Sequence, residues 1–504
     1  MQIHLQSRHD SSKTPSRHST LVVFAKGGKD SLKIEHPSLQ KTLSALRDDK
    51  TFLGKTGETL FYRDYAGSDI DGHKHLLLVG LGEKPDSETC RSAAATVHGS
   101  LKAHKATHAC VLVDGLGHGK KDAVANLQAF AEGLWLSDYN FDELKTNKEK
   151  ADKKETILDI ALHTPHATEA AYKTAFLHAQ ILTECQNFSR RLGDMPGNLM
   201  TPTILANSAV EAAKGTSIKT EVWDKARIKK EKMGGLLGVA QGSDEDPRFI
   251  IFRYNGAAKT KKPVVFVGKG LTFDTGGISL KPGAAMEEMK YDMCGGANVL
   301  GAVLAIAKMK LKINVMAIVP STENMPNGRA TKPGDVHTAR NGKTFEVNNT
   351  DAEGRLILAD ALAYACEQNP EVVIDAATLT GAIIMALGNI HTGYFTRNDA
   401  VAKATEKAAQ TSGELVWRLP LTDFHVKDMR GTYADLSNIS SSKGAGSATA
   451  AGFLEQFVTE GTPWIHFDIA GTAWAVGGRQ SYHPKKGASG IMVRTFVELA
   501  KQYI

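Results

Sequence analysis

What this 504-residue chain lacks narrows its chemistry first. It contains no run of eighteen apolar residues, which argues against a membrane-spanning helix. The opening stretch, Met1 to Thr20, is rich in His, Ser, Arg and Lys and has no apolar core of the kind a secretory signal needs, so a cytoplasmic location is the expectation. Only five cysteines occur (Cys90, Cys110, Cys185, Cys294 and Cys366), with no CxxC pair and one left over. That argues against a disulfide framework and against a thiolate-built zinc site. Neither HExxH nor GxSxG is present, which removes the single-zinc protease helix and the serine nucleophile elbow. Val79-Gly-Leu-Gly82 is too short for a dinucleotide fingerprint. Gly115-Leu-Gly-His-Gly-Lys120 is followed by Lys121, where a phosphate-binding loop needs a hydroxyl. A formal net charge of +6 permits weak attraction to polyanions without demanding it.

What is present describes a folded α/β chain. Hydrophobic residues make up 42% and charged residues 23%, and the length exceeds one ordinary core, so two domains are expected. In the first third, short apolar runs at Thr20–Ala25, His75–Gly80, Cys110–Val113 and Thr156–Leu162 read as strands. They alternate with helical stretches at Ser87–Lys105 and Ala123–Leu136, which points to a small α/β domain over residues 1–166. Lys145 to Lys154 reads as an exposed polar loop. Apolar residues then recur at helical spacing from Ala167 to Arg191 until Asp194, Pro196, Gly197 and Pro202 break the pattern, giving a connecting helix over 167–195. Residues 196–504 form the larger expected α/β domain, a central mixed sheet flanked by helices, with apolar strands at Val264–Val267, Ile313–Val319 and Val372–Ile374. Strands apolar throughout imply a sheet covered on both faces. Chemistry is then expected at the carboxyl ends of the strands.

Two segments carry that chemistry. In Val264-Val-Phe-Val-Gly-Lys-Gly-Leu-Thr-Phe-Asp-Thr-Gly-Gly-Ile-Ser-Leu-Lys281 an apolar strand runs into what reads as a glycine-rich turn bearing Lys269, Asp274 and Lys281. Asp292 follows at the start of an apolar helical stretch. The second segment, Glu346-Val-Asn-Asn-Thr-Asp-Ala-Glu-Gly-Arg-Leu356, places Asp351, Glu353 and Arg355 where a strand gives way to a helix. Four carboxylates on turns suit hard divalent cations, and a carboxylate shared by two ions is how dinuclear hydrolase sites are built. Ordinary roles compete with this. Asp351 can be a helix cap with Glu353 complementing the helix dipole, and Lys269 can be a cation paired with Asp274 or Asp292.

The string Asn349-Thr-Asp-Ala-Glu-Gly-Arg-Leu356 resembles the signature of the leucyl aminopeptidase, or cytosol aminopeptidase, family. Gly268–Lys281 followed by Asp292 is similar to that family's other metal-binding segment. The likeness extends through Met200-Thr-Pro202, Asp375–Gly381 and Gly487–Gly490, covering residues 170–504 well and the first third in outline. It implies a metallo-exopeptidase releasing amino-terminal residues, Leu or Met above charged ones, from short peptides with a free amino terminus. Asp274 and Glu353 would bridge two divalent ions, Mn²⁺ or Zn²⁺. Asp351 would complete one site, and Lys269 and Asp292 the other. Lys281 would stabilise the oxyanion and Arg355 would hold a bicarbonate general base. Met289, Asn349, Thr378, Leu379 and Gly381 would line the pocket for the first side chain, with Met289 and Leu379 equally able to be core. A homohexamer enclosing its active sites is implied as well. Two other readings remain, a narrower Cys-Gly dipeptidase and a second role as a DNA-binding regulator. No recognition helix or aromatic-interleaved basic stripe supports the latter. Cys294, so near Asp292, is either a soft intruder on the metals or a buried inert thiol.

Overall fold

The computed structural model describes residues 1–7, 19–27, 32–34, 36, 39–65, 73–117, 120–146, 158–476 and 480–504. Most of the polar opening segment and of the Lys145–Lys154 stretch lies outside the described residues. The chain divides into two compact units, Met1–Thr183 with Gly477–Pro484, and Glu184–Val476 with Lys485–Ile504. The division falls inside the helix Ala170–Asp194, and Gly477–Pro484 groups with the first unit although it lies late in the chain. No helix among the described residues is long and apolar enough to cross a membrane.

The first unit is built on a mixed sheet whose centre is Thr20–Gly27, paired in parallel with both His75–Gly80 and His108–Leu112. Its sequence, Thr-Leu-Val-Val-Phe-Ala, is buried on both faces, as β-branched and aromatic residues in a central strand should be. Asp159–His163 extends the sheet, so the expected run is a strand from Asp159 onward, while Thr156 and Ile157 lie outside the described residues. The helices Ser87–Ala103 and Lys120–Ser137 pack together. Asp86 caps the first by accepting the Thr89 N–H at 2.8 Å, and Gly133 lets the second approach, since a Cβ there would lie 2.1 Å from Arg91 O. Arg91 is buried between them. Its Nε and Nη2 donate to Glu132 Oε2 at 3.0 and 2.8 Å, and its Nη1 to Glu88. Glu88 also accepts from the Tyr482 hydroxyl at 2.9 Å, which ties in the late segment.

The second unit holds a larger mixed sheet, in the order Val416–Arg418, Thr392–Phe395, Trp464–Asp468, Val372–Ala377, Val264–Gly268, Asn314–Asn324, Arg248–Asn255 and Lys219–Trp223. The four strands from Trp464–Asp468 to Asn314–Asn324 are parallel. Arg248–Asn255 joins them antiparallel, with Ile251 opposite Ile318. Alternation along Val264–Gly268 explains the continuous apolar run. Val265 and Val267 belong to the core that includes the helix Gly354–Cys366, whereas Phe266 meets Phe496 of the helix Val493–Lys501 at 5.4 Å between ring centroids. Helices therefore cover both faces. One local expectation is corrected. The segment following Lys269 is not simply a turn, because Gly270–Asp274 forms a short strand parallel to the far end of Asn314–Asn324. The fold is thus a two-domain α/β architecture of mixed sheets flanked by helices.

Breaking the buried charge pair of the first unit should be costly. Arg91→Met leaves the Glu132 carboxylate buried beside an apolar chain and is expected to lose about 3–5 kcal/mol of stability in urea unfolding. Replacing Arg91 and Glu132 together by apolar residues should recover most of that loss. A double variant no more stable than the single one would contradict this account.

Candidate active site

Several strands end at one place. Lys269 follows Val264–Gly268, Asp274 closes Gly270–Asp274, Asn324 closes Asn314–Asn324, and Thr378 follows Val372–Ala377. Asp292 comes from the 3-10 turn Met286–Met293 ahead of the helix Cys294–Lys308. Asp351 and Glu353 come from the junction before Gly354–Cys366. The structure brings together all five metal-ligand candidates and Lys281. Lys269 Nζ lies 2.7 Å from Asp292 Oδ2 and 2.8 Å from Glu353 Oε1, and donates to Thr378 O at 3.0 Å. Lys281 Nζ lies 2.9 Å from Asp274 Oδ2 and 2.5 Å from Asp351 Oδ1. The cap reading for Asp351 is not what is found, since the helix Gly354–Cys366 begins at Glu353 with no side-chain cap bond.

Local backbone explains how these groups meet. Gly276 and Gly277 adopt φ of +88° and +66°, a conformation that side chains disfavour, and turn the chain so that the Gly276 N–H reaches Asp274 Oδ1 at 2.8 Å. Gly354 is required for a different reason: a Cβ there would sit 2.7 Å from both Cε and Nζ of Lys269. Two asparagines missed in the sequence complete the frame. Asn324 donates to Asp274 Oδ1 at 2.8 Å and to Thr350 O at 3.0 Å. Asn438, fully buried, accepts from the Asn348 and Asn349 N–H groups and donates to Asn349 O at 2.6 Å. Its own carbonyl accepts from Arg355 Nη1 at 2.8 Å. The polar end of an otherwise apolar strand, Ser321-Thr-Glu-Asn324, could have flagged Asn324, but nothing local marks Asn438.

Electrostatics shows an excess of negative charge. Four carboxylates face two ammonium groups, all but Lys281 and Asp351 nearly inaccessible to water. Burial pushes Lys269 towards neutrality, but Asp292, Glu353 and Asp274 outweigh it and hold its pKa well above that of ordinary lysine. The Glu353 and Asp292 carboxyls are both raised, by burial first and then by Asp274, against the pull of Lys269. Lysine held charged beside carboxyls that favour the proton is the mark of a cluster short of positive charge. Three buried oxygens, Asp292 Oδ2, Asp351 Oδ1 and Glu353 Oε2, lack a directed hydrogen bond, and the first two touch a lysine only as ion pairs. Asp274, Asp351 and Glu353 each offer an oxygen within 4.8 Å of the others. All-oxygen donors with unsatisfied lone pairs fit a hard divalent cation.

Arg355 is buried, which pushes its guanidinium down to about 10, and its Nε has no hydrogen-bond partner. Of the pocket candidates, Thr378 is committed to the centre, its hydroxyl donating to Asp292 Oδ1 at 2.6 Å. Asn349 accepts the Asp351 N–H at 2.9 Å. Leu379 is half-buried against the core, Met289 is half-buried just before Asp292, and Gly381 is exposed at the start of the helix Gly381–Leu387. Cys294 is buried and burial raises its thiol well above the usual range, so it is an inert apolar residue.

Fold and site together define an α/β enzyme built around a carboxylate–lysine centre suited to divalent metal. Comparison with known proteins makes the assignment specific. The model of the cytosol aminopeptidase family catalytic domain matches residues 187–497, and that of the family's N-terminal domain matches residues 21–148. The chain is 62% identical over 489 residues to a probable cytosol aminopeptidase of Bdellovibrio bacteriovorus, covering 96% of each. It is 45% identical to one from Burkholderia orbicola, covering 87% of this chain and 85% of the relative. Among solved structures, a mutant of tomato leucine aminopeptidase superposes with a TM-score of 0.84 at 33% identity, covering 100% of this chain and 96% of that one. The bottromycin maturation enzyme BotP in complex with Mn superposes with a TM-score of 0.83 at 30% identity, covering 97% and 99%. The chain belongs to the cytosol aminopeptidase family and is a metal-dependent aminopeptidase.

Gly354→Ala places a methyl group against the Lys269 amine. Divalent-metal affinity, measured by Mn²⁺ titration calorimetry, is expected to fall about 10–100-fold. Thermal stability without metal should fall as well, because the methyl group displaces Lys269 from its buried ion pairs with Asp292 and Glu353. Unchanged affinity would show that Lys269 moves aside freely.

Proposed function

We propose that the centre holds two divalent ions bridged by Asp274 and Glu353, with Asp351 on one and Lys269 and Asp292 on the other. In this reading the chain releases Leu- or Met-like residues from the free amino termini of short peptides. The observation that carries this is the buried Glu353 Oε2, without a partner beside Asp274 and Asp351, in a cluster with more carboxylate than ammonium. When bound, the ions supply an activated water and polarise the scissile carbonyl. Lys269 can ligate only as the neutral amine, so its proton must leave Nζ, against the pull of the surrounding carboxylates. Lys281 has the more accessible ammonium of the two and is placed to stabilise the oxyanion of the tetrahedral intermediate. Arg355 has one donor fixed on Asn438 O and its Nε still open, which suits a small planar oxyanion such as bicarbonate acting as general base.

Mn²⁺ or Zn²⁺ suits the ligands, and Mn is named with one structural neighbour. The homohexamer is carried from the family resemblance. Met385, Trp417, Phe424 and Tyr433, each more than half exposed on the catalytic unit, support an assembly that covers apolar surface. A cytoplasmic site of action rests on the name shared by the relatives. No described residue favours the Cys-Gly or nucleic-acid readings.

Chelation is expected to abolish hydrolysis of leucyl amides and added Mn²⁺ or Zn²⁺ to restore it, with amino-blocked peptides untouched. Lys281→Ala and Arg355→Ala should each lower kcat about 10²–10³-fold. Activity surviving thorough chelation, or confined to blocked peptides, would overturn the proposal.

A further inference from the structure

The carboxylate of Asp468 belongs to none of the groups considered so far. It stands at the end of the strand Trp464–Asp468, opposite Ala377, and is only 1% exposed. No described cation lies within ion-pair distance of it, although the His466 ring and the Arg355 guanidinium act on it electrostatically from further away. Instead Asp468 Oδ1 accepts the N–H groups of Leu379 at 3.1 Å, Thr380 at 3.4 Å and Ala470 at 3.3 Å. Asp468 Oδ2 accepts the Thr380 hydroxyl at 2.6 Å. That hydroxyl in turn lies 2.6 Å from Ser447 Oγ and accepts the Ile383 N–H at 3.2 Å, starting the helix Gly381–Leu387.

Residues 378–380 are consequently held at both ends. On one side Thr378 is tied to Lys269 Nζ and Asp292 Oδ1 through its carbonyl and hydroxyl. On the other side Asp468 clamps the next two residues. Leu379 sits between, its backbone fixed and its side chain half-buried. A burial-raised carboxylate is an expensive way to hold a turn unless the position of that turn matters.

We infer that Asp468 is a positioning residue for substrate selection: by fixing Leu379 relative to the Lys269–Asp292 end of the centre, it sets the depth of the pocket that takes a medium-sized apolar amino-terminal side chain. This rests on the reading of the centre and pocket given above. Asp468 acts through hydrogen-bond geometry and touches no reacting atom. An asparagine can reproduce that geometry, since its Oδ1 accepts the same three N–H groups and its Nδ2 donates to Thr380 Oγ1, which turns its proton to Ser447.

The test compares kcat and KM of the full-length, Mn²⁺-loaded enzyme on leucyl, methionyl and alanyl p-nitroanilides. In Asp468→Ala the Leu-over-Ala ratio of kcat/KM is expected to fall about tenfold, the scale of one or two methylene contacts in a pocket. The fall should come mainly through KM for the leucyl substrate. Asp468→Asn should recover most of the ratio, and Thr380→Val should narrow it in the same direction even if Asp468→Ala does not fold. An equal loss of kcat on all three substrates, or an asparagine variant as impaired as the alanine one, would overturn the inference. Leu379→Ala separates the two layers: a ratio unchanged in that variant defeats the pocket reading itself. A ratio altered there but intact in the Asp468 and Thr380 variants defeats only the role of Asp468.

Discussion

Four carboxylates gathered beyond the ends of parallel strands repel one another, and in a site with little water that repulsion is poorly screened. Lys269 and Lys281 offset part of it, each lying between two acids. The surrounding structure is arranged around this constraint. Gly354 leaves space for the Lys269 side chain, Gly276 and Gly277 bend the chain so that the Gly276 N–H faces Asp274, and Asn324 adds a neutral donor to the same oxygen. Even so, the described donors do not satisfy Glu353 Oε2. A centre with fewer acids would be more stable as a protein core but would have no use for a dication.

On the proposed reading that balance also gives the lysines two uses. In the structure Lys269 is an ammonium in an ion-pair network, the ordinary role that residue types alone would favour. As a metal ligand it must be an amine. On that reading the same side chain would serve in both forms, because a dication and a proton compete for one lone pair. Lys281 differs in being more accessible, although in the structure its ammonium is held by Asp274 and Asp351.

Much of this was legible because it is local. The run Val264–Val267 announces a doubly covered strand, and Asp351, Glu353 and Arg355 lie within one short junction whose spacing suggests a metal site while leaving ordinary cap and dipole roles open. The family likeness then added what spacing could not, the joining of that junction to Lys269, Asp274 and Asp292. What escaped was long-range or ambiguous. Asn438 and Asp468 act through hydrogen bonds spanning more than eighty residues, and a lone Asn or Asp in a loop carries no mark of such a partner. Arg248–Asn255, with arginines at positions 248 and 253 and a tyrosine near its close, pairs antiparallel and gives no signal of the sheet it joins. Gly270 reads as a turn residue, yet it lies in a strand where a Cβ would meet Val319 Cγ1 at 2.6 Å, so close packing and not a bend calls for glycine there.

The central claim is that acids from two distant segments share a pair of cations. Crystals of the Mn²⁺-loaded enzyme, measured for anomalous scattering at the manganese edge, test it directly. The account predicts two peaks, both in contact with Asp274 and Glu353, with Lys281 withdrawn from Asp274. A single peak, or peaks outside this cluster while Lys269 and Lys281 keep their ion pairs, would contradict it.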